Sequence, residues 1–238
     1  MINPGQNQSR QVDVMAAALL AIPAVLTLVL ILHHPVLHGK HDVASVAAGI
    51  QAHALMDRLV HGGLITVLGI QTLGFYLFSA KLGWRRPAVA GGLIAYTAGV
   101  LLMIIPSTLD GFVTPDLASN CLAAAHGCGT LEEGSFRLVA VMIQDFTKLA
   151  LVVMSTGVLS WSVALLASRD APKRIAGVVG IICACMPVAI LLHSDIYLQA
   201  GNLPGMIASQ LVWSLLAAAL IIGGERGHQR PEERLATA

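Results

Sequence analysis

The sequence predicts an all-α, polytopic membrane protein, with six transmembrane helices in one bundle and both termini on the cytoplasmic side. Three observations lead there. Of 238 residues, 56% are hydrophobic and only 11% charged, against roughly 45 to 50% apolar and about 25% charged in an ordinary soluble domain. Six apolar runs occupy most of the chain, each able to cross a hydrocarbon core of about 30 Å at about 1.5 Å per residue. The basic residues also sort to one side when each run reverses the direction of the chain.

Taken in order, residues 1–13 form a cytoplasmic N-terminal tail, 14–224 the transmembrane domain and 225–238 a polar cytoplasmic tail. The first run, 14–32, follows Arg10 and invites comparison with a signal peptide. Its apolar stretch is too long for that, and His33, His34 and Pro35 follow it in place of a small-residue cleavage site, so it is expected to persist as a helix. Asp42 is a suitable N-cap, so a helix should start near Val43 and continue into the second run, 59–80. The remaining runs are 88–105, 138–167, 175–192 and 205–222. Gly177 with Gly180, and the alanines from 217 to 219, are small enough to let helices approach closely.

With the N-terminus inside, ten basic residues fall on the cytoplasmic side: Arg10, Lys81, Arg85, Arg86, Arg169, Lys173, Arg174, Arg226, Arg230 and Arg234. Only Lys40, Arg58, Arg137 and Lys148 fall outside or within spans, and this bias sets the orientation. The net charge of +1 leaves no basic excess for holding phosphate backbones, which argues against nucleic acid as a partner. The expected surroundings are a lipid bilayer, that of a bacterial inner membrane. No partner subunit can be read from the sequence. Cys121 and Cys128 fall in the long outer loop, where an oxidising compartment allows a disulfide. Cys183 and Cys185 lie two apart on the fifth span, where their side chains diverge and serve packing.

Polar chemistry collects on one side. Eight of the nine histidines, His33, His34, His38, His41, His53, His61, His126 and His193, fall in outer loops or at outer span ends, and only His228 falls inside. Asp42, Asp57, Asp110, Asp116 and Asp195 share that side, with Asp145 in the outer half of the fourth span. Imidazole with carboxylate is a ligand set for zinc, copper or iron. His53, Asp57 and His61 recur every four residues and so share one helical stripe, but the outer two stand about 12 Å apart along the axis, too far to share one ion. Asp57 with His61 is the workable pair. A third ligand must come from another span, His34 or His193, while His53 and Asp110 can support from behind. The candidate metal residues are therefore His34, His53, Asp57, His61 and His193, and the candidate catalytic carboxylates are Asp110 and Asp145. Packing readings compete: the stripe can be a polar face near the headgroups, Asp145 can simply pair with Lys148 three residues on, and the dense run from His33 to His41 is an alternative metal-binding tract.

Phosphate loops, nucleophile elbows, zincin helices and Cys-x-x-Cys pairs are absent from the sequence, so nucleotide hydrolysis, serine hydrolysis and thioredoxin-like exchange lose their usual signals. The inner half of the spans carries few polar groups, which favours a site at the outer face over a route across the membrane. Three function classes remain. The preferred one is a metal-dependent membrane enzyme acting on a lipid-like or small periplasmic substrate. The others are electron transfer through haem b held by two histidines, and a metal carrier, sensor or accessory subunit without catalysis. Asp57 beside His61 favours a metal ion over haem, which needs no carboxylate ligand.

Overall fold

The computed structural model describes residues 4–34, 42–124, 128–194, 198 and 201–223. His38, Lys40, His41, His126, Asp195, His228 and the tail 225–238 lie outside the described residues. Every described element is helical: α1 (Pro4–Leu32), α2 (Val43–Leu82), α3 (Pro87–Thr108), α4 (Thr114–Ala123), α5 (Thr130–Leu166), α6 (Ala171–His193) and α7 (Leu203–Gly223). A π-helical turn, Leu109–Val113, joins α3 to α4, so that Pro87–Ala123 runs as one rod. Six of these helical stretches are long and apolar enough to cross a membrane.

Local sequence sets the boundaries. Asp42 caps α2, its carboxylate accepting the Ser45 backbone N–H at 2.8 Å. A bond from the Ser45 hydroxyl, together with this backbone one, holds the exposed Asp42 carboxyl below its ordinary pKa. At the other end, Gly83 adopts φ 98° while its N–H bonds the Ser79 and Ala80 carbonyls, a conformation that glycine reaches without steric cost. Prolines open α3, α4 and α6, where a missing N–H leaves no helical bond unmade.

The helices outrun the apolar runs that announce them. α1 already begins at Pro4, within the segment expected as a tail, and α2 has 40 residues where the run has 22. At about 1.5 Å per residue α2 is about 60 Å long, twice the hydrocarbon thickness. Hydropathy marks only the part suited to lipid, whereas the helix continues wherever its surface finds a partner. Here the partner is a small second core of Ala47, Ile50, Ala118 and Cys121, which joins α2, α4 and the start of α5 beyond the apolar segments. Cys121 and Cys128 are disulfide-bonded beside it, with Cα atoms 4.8 Å apart. Alkylation without reductant should therefore modify two fewer thiols than alkylation after reduction, by intact mass, and equal counts would refute the bridge. Of the remaining cysteines, Cys183 is buried and Cys185 exposed.

α1 packs on α2 and α7, α2 on α3, α3 on α5, α5 on α6 and α6 on α7, so the contacts close into a ring. Small residues permit the tightest approach. A Cβ on Gly99 would stand 2.8 Å from the Met154 backbone nitrogen, and one on Gly157 2.8 Å from the Gly92 carbonyl oxygen. At the end of the ring that carries the arginines, aromatic side chains fill the interior. Phe75 stacks on Trp161 at 4.8 Å, and the Trp161 indole N–H donates to Ser79 Oγ at 3.0 Å. Asp13 of α1 pairs with Lys81 of α2 at that end. Outward-facing positions such as Ile22, Leu73, Ile94, Leu101, Val163 and Ile182 are exposed and apolar, as a lipid-facing surface requires. The end that carries the histidines holds a cavity instead.

Candidate metal centre

Asp57 and His61 occupy successive turns of α2, on the face turned into the ring, and are 9% and 4% exposed. The four-residue spacing has a local consequence. It brings the His61 ring over the Asp57 backbone, so that Nδ1 lies 2.9 Å from the Asp57 carbonyl oxygen. A carbonyl only accepts, so Nδ1 carries the hydrogen and Nε2 of the neutral ring presents a lone pair to the cavity. His34 comes from the end of α1, where its backbone N–H still bonds the Ile31 carbonyl. Its ring meets that of His61 edge to face at 4.9 Å.

Asp110 enters from the π-helical turn. One of its carboxylate oxygens, Oδ2, lies 3.3 Å from both His34 Nε2 and His61 Nε2. The extra residue in a π turn re-aims the side chains that follow it, and such turns recur at functional sites. Gly111 makes the approach of this turn to α2 feasible. A Cβ there would lie 2.3 Å from His61 Cβ and 2.7 Å from Cγ.

The chemistry of this arrangement calls for a cation. The neutral His61 ring offers no hydrogen at Nε2, so the contact with Asp110 sets lone pair against lone pair until a proton or metal ion intervenes. Two carboxylates and two imidazoles share the site, and among the described residues no hydrogen bond reaches the Asp57 carboxylate. A divalent ion would balance the two negative charges of this largely buried group. One ligand atom each from His34, Asp57 and His61 lies within 4.8 Å of the others. Ligands held at about 2.0 to 2.2 Å from one ion stand at most about 4.4 Å apart. In tetrahedral geometry the ligands stand about 3.4 Å apart, so side-chain rotations of about an ångström would close the set.

The other sequence-predicted residues fall elsewhere. His53 is exposed, and His193 is exposed at the end of α6, a helix that packs mainly on α5 and α7. Asp145 lies on the outer face of α5, 2.7 Å from Lys148, in the ion pair that its spacing allows. Its neighbour Gln144 faces inward and clamps Leu198, donating to its carbonyl at 2.9 Å and accepting its N–H at 3.1 Å.

Behind the histidines a cavity of about 400 Å³ runs between the helices. His34, His61 and Asp110 line one end, together with Leu198, Leu203 and Pro204, and Leu68, Gln71, Tyr96 and Met154 line the other. His61 and Gln71 are ten residues apart on α2, which makes the cavity about 15 Å deep. Gln71, Gln144 and Gln210 carry a signal in the sequence, a polar side chain in an apolar run, but the candidate residues do not include them. The turn carried none, because nothing in Leu109–Val113 distinguishes a π turn from an ordinary one.

Fold and site together define an all-helical protein with six membrane-length helices and a His/Asp group able to bind a metal ion. No protein family, curated protein or solved structure matches the chain.

Proposed function

We propose that the chain is a six-helix membrane metalloenzyme, N-terminus inside, whose ion is held by His34, Asp57 and His61 at the periplasmic boundary of a bacterial inner membrane. The observation that carries this reading is the convergence of two imidazoles and two carboxylates, of which His34, His61 and Asp110 line an apolar cavity. Two His and one carboxylate is the donor set of hydrolytic zinc sites and of Fe(II) sites with open positions. An ion so held polarises a substrate oxygen or activates water near neutral pH. Asp110, beside both imidazoles, is placed to take a proton from a group bound there. Asp57 and His34 fix the charge and geometry of the site, and the apolar walls limit competing water.

The cavity favours an enzyme over a carrier or sensor, which needs no substrate-sized space beside its ion. The haem reading loses ground on geometry, because a macrocycle must lie between its axial imidazoles and rings meeting edge to face at 4.9 Å leave it no plane. Elemental analysis of the purified protein tests the proposal. About one zinc, copper or iron per chain is expected, with no Soret band, whereas a metal-free protein that fails to take up any of these ions would refute it. For orientation, single cysteines at Arg85 and Arg174 should resist an impermeant thiol reagent applied from the periplasm, while one at His53 should react. The reverse pattern would invert the topology.

A further inference from the structure

Gln210 of α7 is 6% exposed and lines the cavity, and among the described residues neither its amide nitrogen nor its side-chain carbonyl oxygen has a hydrogen-bond partner. Leaving both unmade costs about 1 to 3 kcal/mol per group, so natural interiors rarely do it. Nearby polar groups do not relieve it. Gln71 donates to Ser214 Oγ at 2.7 Å, and that hydroxyl donates to the backbone carbonyl of Gln210 at 2.8 Å. This relay fixes the Gln210 backbone and leaves its side chain free. Seven residues separate Gln210 from the start of α7, which puts it about 10 Å below the histidine end.

The shape of the space narrows the choice of occupant. About 400 Å³ drawn out over about 15 Å makes a channel rather than a chamber. It has room for an extended hydrocarbon chain. Its walls are mostly apolar, from Ala24, Leu64, Met103, Ile143 and Leu211, with the unpartnered amide part of the way down. We propose that the channel binds a single-chain amphiphile with an anionic head at the His34, Asp57 and His61 group, and a hydroxyl on its chain at the depth of Gln210. A hydroxyl both donates and accepts, as the two open amide atoms require, and it is uncharged, as the apolar walls require. The placement of the head rests on the metal reading above, whereas the chain and hydroxyl placements rest on the channel alone.

The probes are dodecanoate, whose extended length matches the channel, and 9-hydroxydodecanoate, whose hydroxyl lies about 10 Å from the carboxylate, the depth of Gln210. Both are titrated calorimetrically against the full chain in lipid nanodiscs, with and without bound metal. The hydroxylated chain should bind about tenfold tighter, one good hydrogen bond to a buried partner. Gln210→Leu should abolish that preference and leave dodecanoate binding unchanged, with Gln210→Met as a second variant should the first not fold. Ile207→Trp, which fills the channel, should weaken both ligands at least about tenfold. Equal binding of the two probes by the native protein would overturn the proposal, since Gln210 would then meet only water. Dodecanoate binding indifferent to Ile207→Trp would overturn it too. If metal changes neither affinity while the hydroxyl preference persists, the metal reading fails and the channel assignment stands.

Discussion

His61→Ala is expected to abolish stoichiometric metal binding while the protein remains folded in the membrane. His61 is one of the three proposed ligands, is the most buried of them and is oriented by the Asp57 carbonyl. Even partners behind the ligands cost about 10- to 100-fold in metal affinity when removed, so loss of a ligand should cost at least about a hundredfold. Asp57→Ala and His34→Ala should behave alike. Asp110→Asn keeps the shape but removes a charge, and should weaken binding by about 10- to 100-fold without emptying the site at high metal. His53→Ala and His193→Ala, both exposed, should match the native protein. The checks are metal content after dialysis and thermal unfolding with added ion. An ion at roughly a hundred times its Kd stabilises by about 2.7 kcal/mol, a gain that the His61 variant should lack. Affinity should also fall as pH drops through the imidazole range, because metal and proton compete for the same lone pairs. Full metal content in the His61 variant would move the site elsewhere, first to the run from His33 to His41.

The residues that announce this site in the sequence are those whose relation is local. Asp57 and His61 are four apart, and helix geometry alone puts them on adjacent turns of one face. The same geometry separates His53 from His61 along the axis, and His53, although on the same stripe and a candidate metal residue, lies exposed. The third residue was not legible, because His34 and His193 are equally plausible by depth, and only the order of helices around the ring tells them apart. α1 packs directly on α2, whereas α6 sits against α5 and α7. Hydropathy carries each helix as an apolar run but says nothing about which faces meet. It also stops short at the histidine end, where the overhanging parts of α2, α4 and α5 are held by their own small core and a disulfide. At Asp145 the local spacing was again the better guide, since it allows the ion pair with Lys148. The depth of Asp145 suggested a functional carboxylate, yet one residue's rotation along α5 turns it outward to Lys148 and turns Gln144 inward.

Gly111→Ala tests whether the π turn is what aims Asp110. The new methyl carbon would sit 2.3 Å from His61 Cβ and 2.7 Å from Cγ, atoms fixed close to the α2 backbone that cannot swing aside. Relief therefore requires the turn and α2 to separate by about an ångström, at a cost of about 1 to 3 kcal/mol or more for overpacking. The same movement lengthens the 3.3 Å contacts from Asp110 to His34 and His61. Stability and metal affinity should fall together, affinity by about 10- to 100-fold, as when a supporting group is displaced rather than a ligand removed. Gly69→Ala is the matched control, because a Cβ there meets nothing within 4 Å and alanine suits a helix better by up to about 1 kcal/mol. That variant should be as stable as the native protein or slightly more so, with unchanged metal binding. If Gly111→Ala lost stability but kept native affinity, the turn would be a packing device and Asp110 dispensable to the ion. If neither changed, the approach of the turn to α2 would itself be disproved.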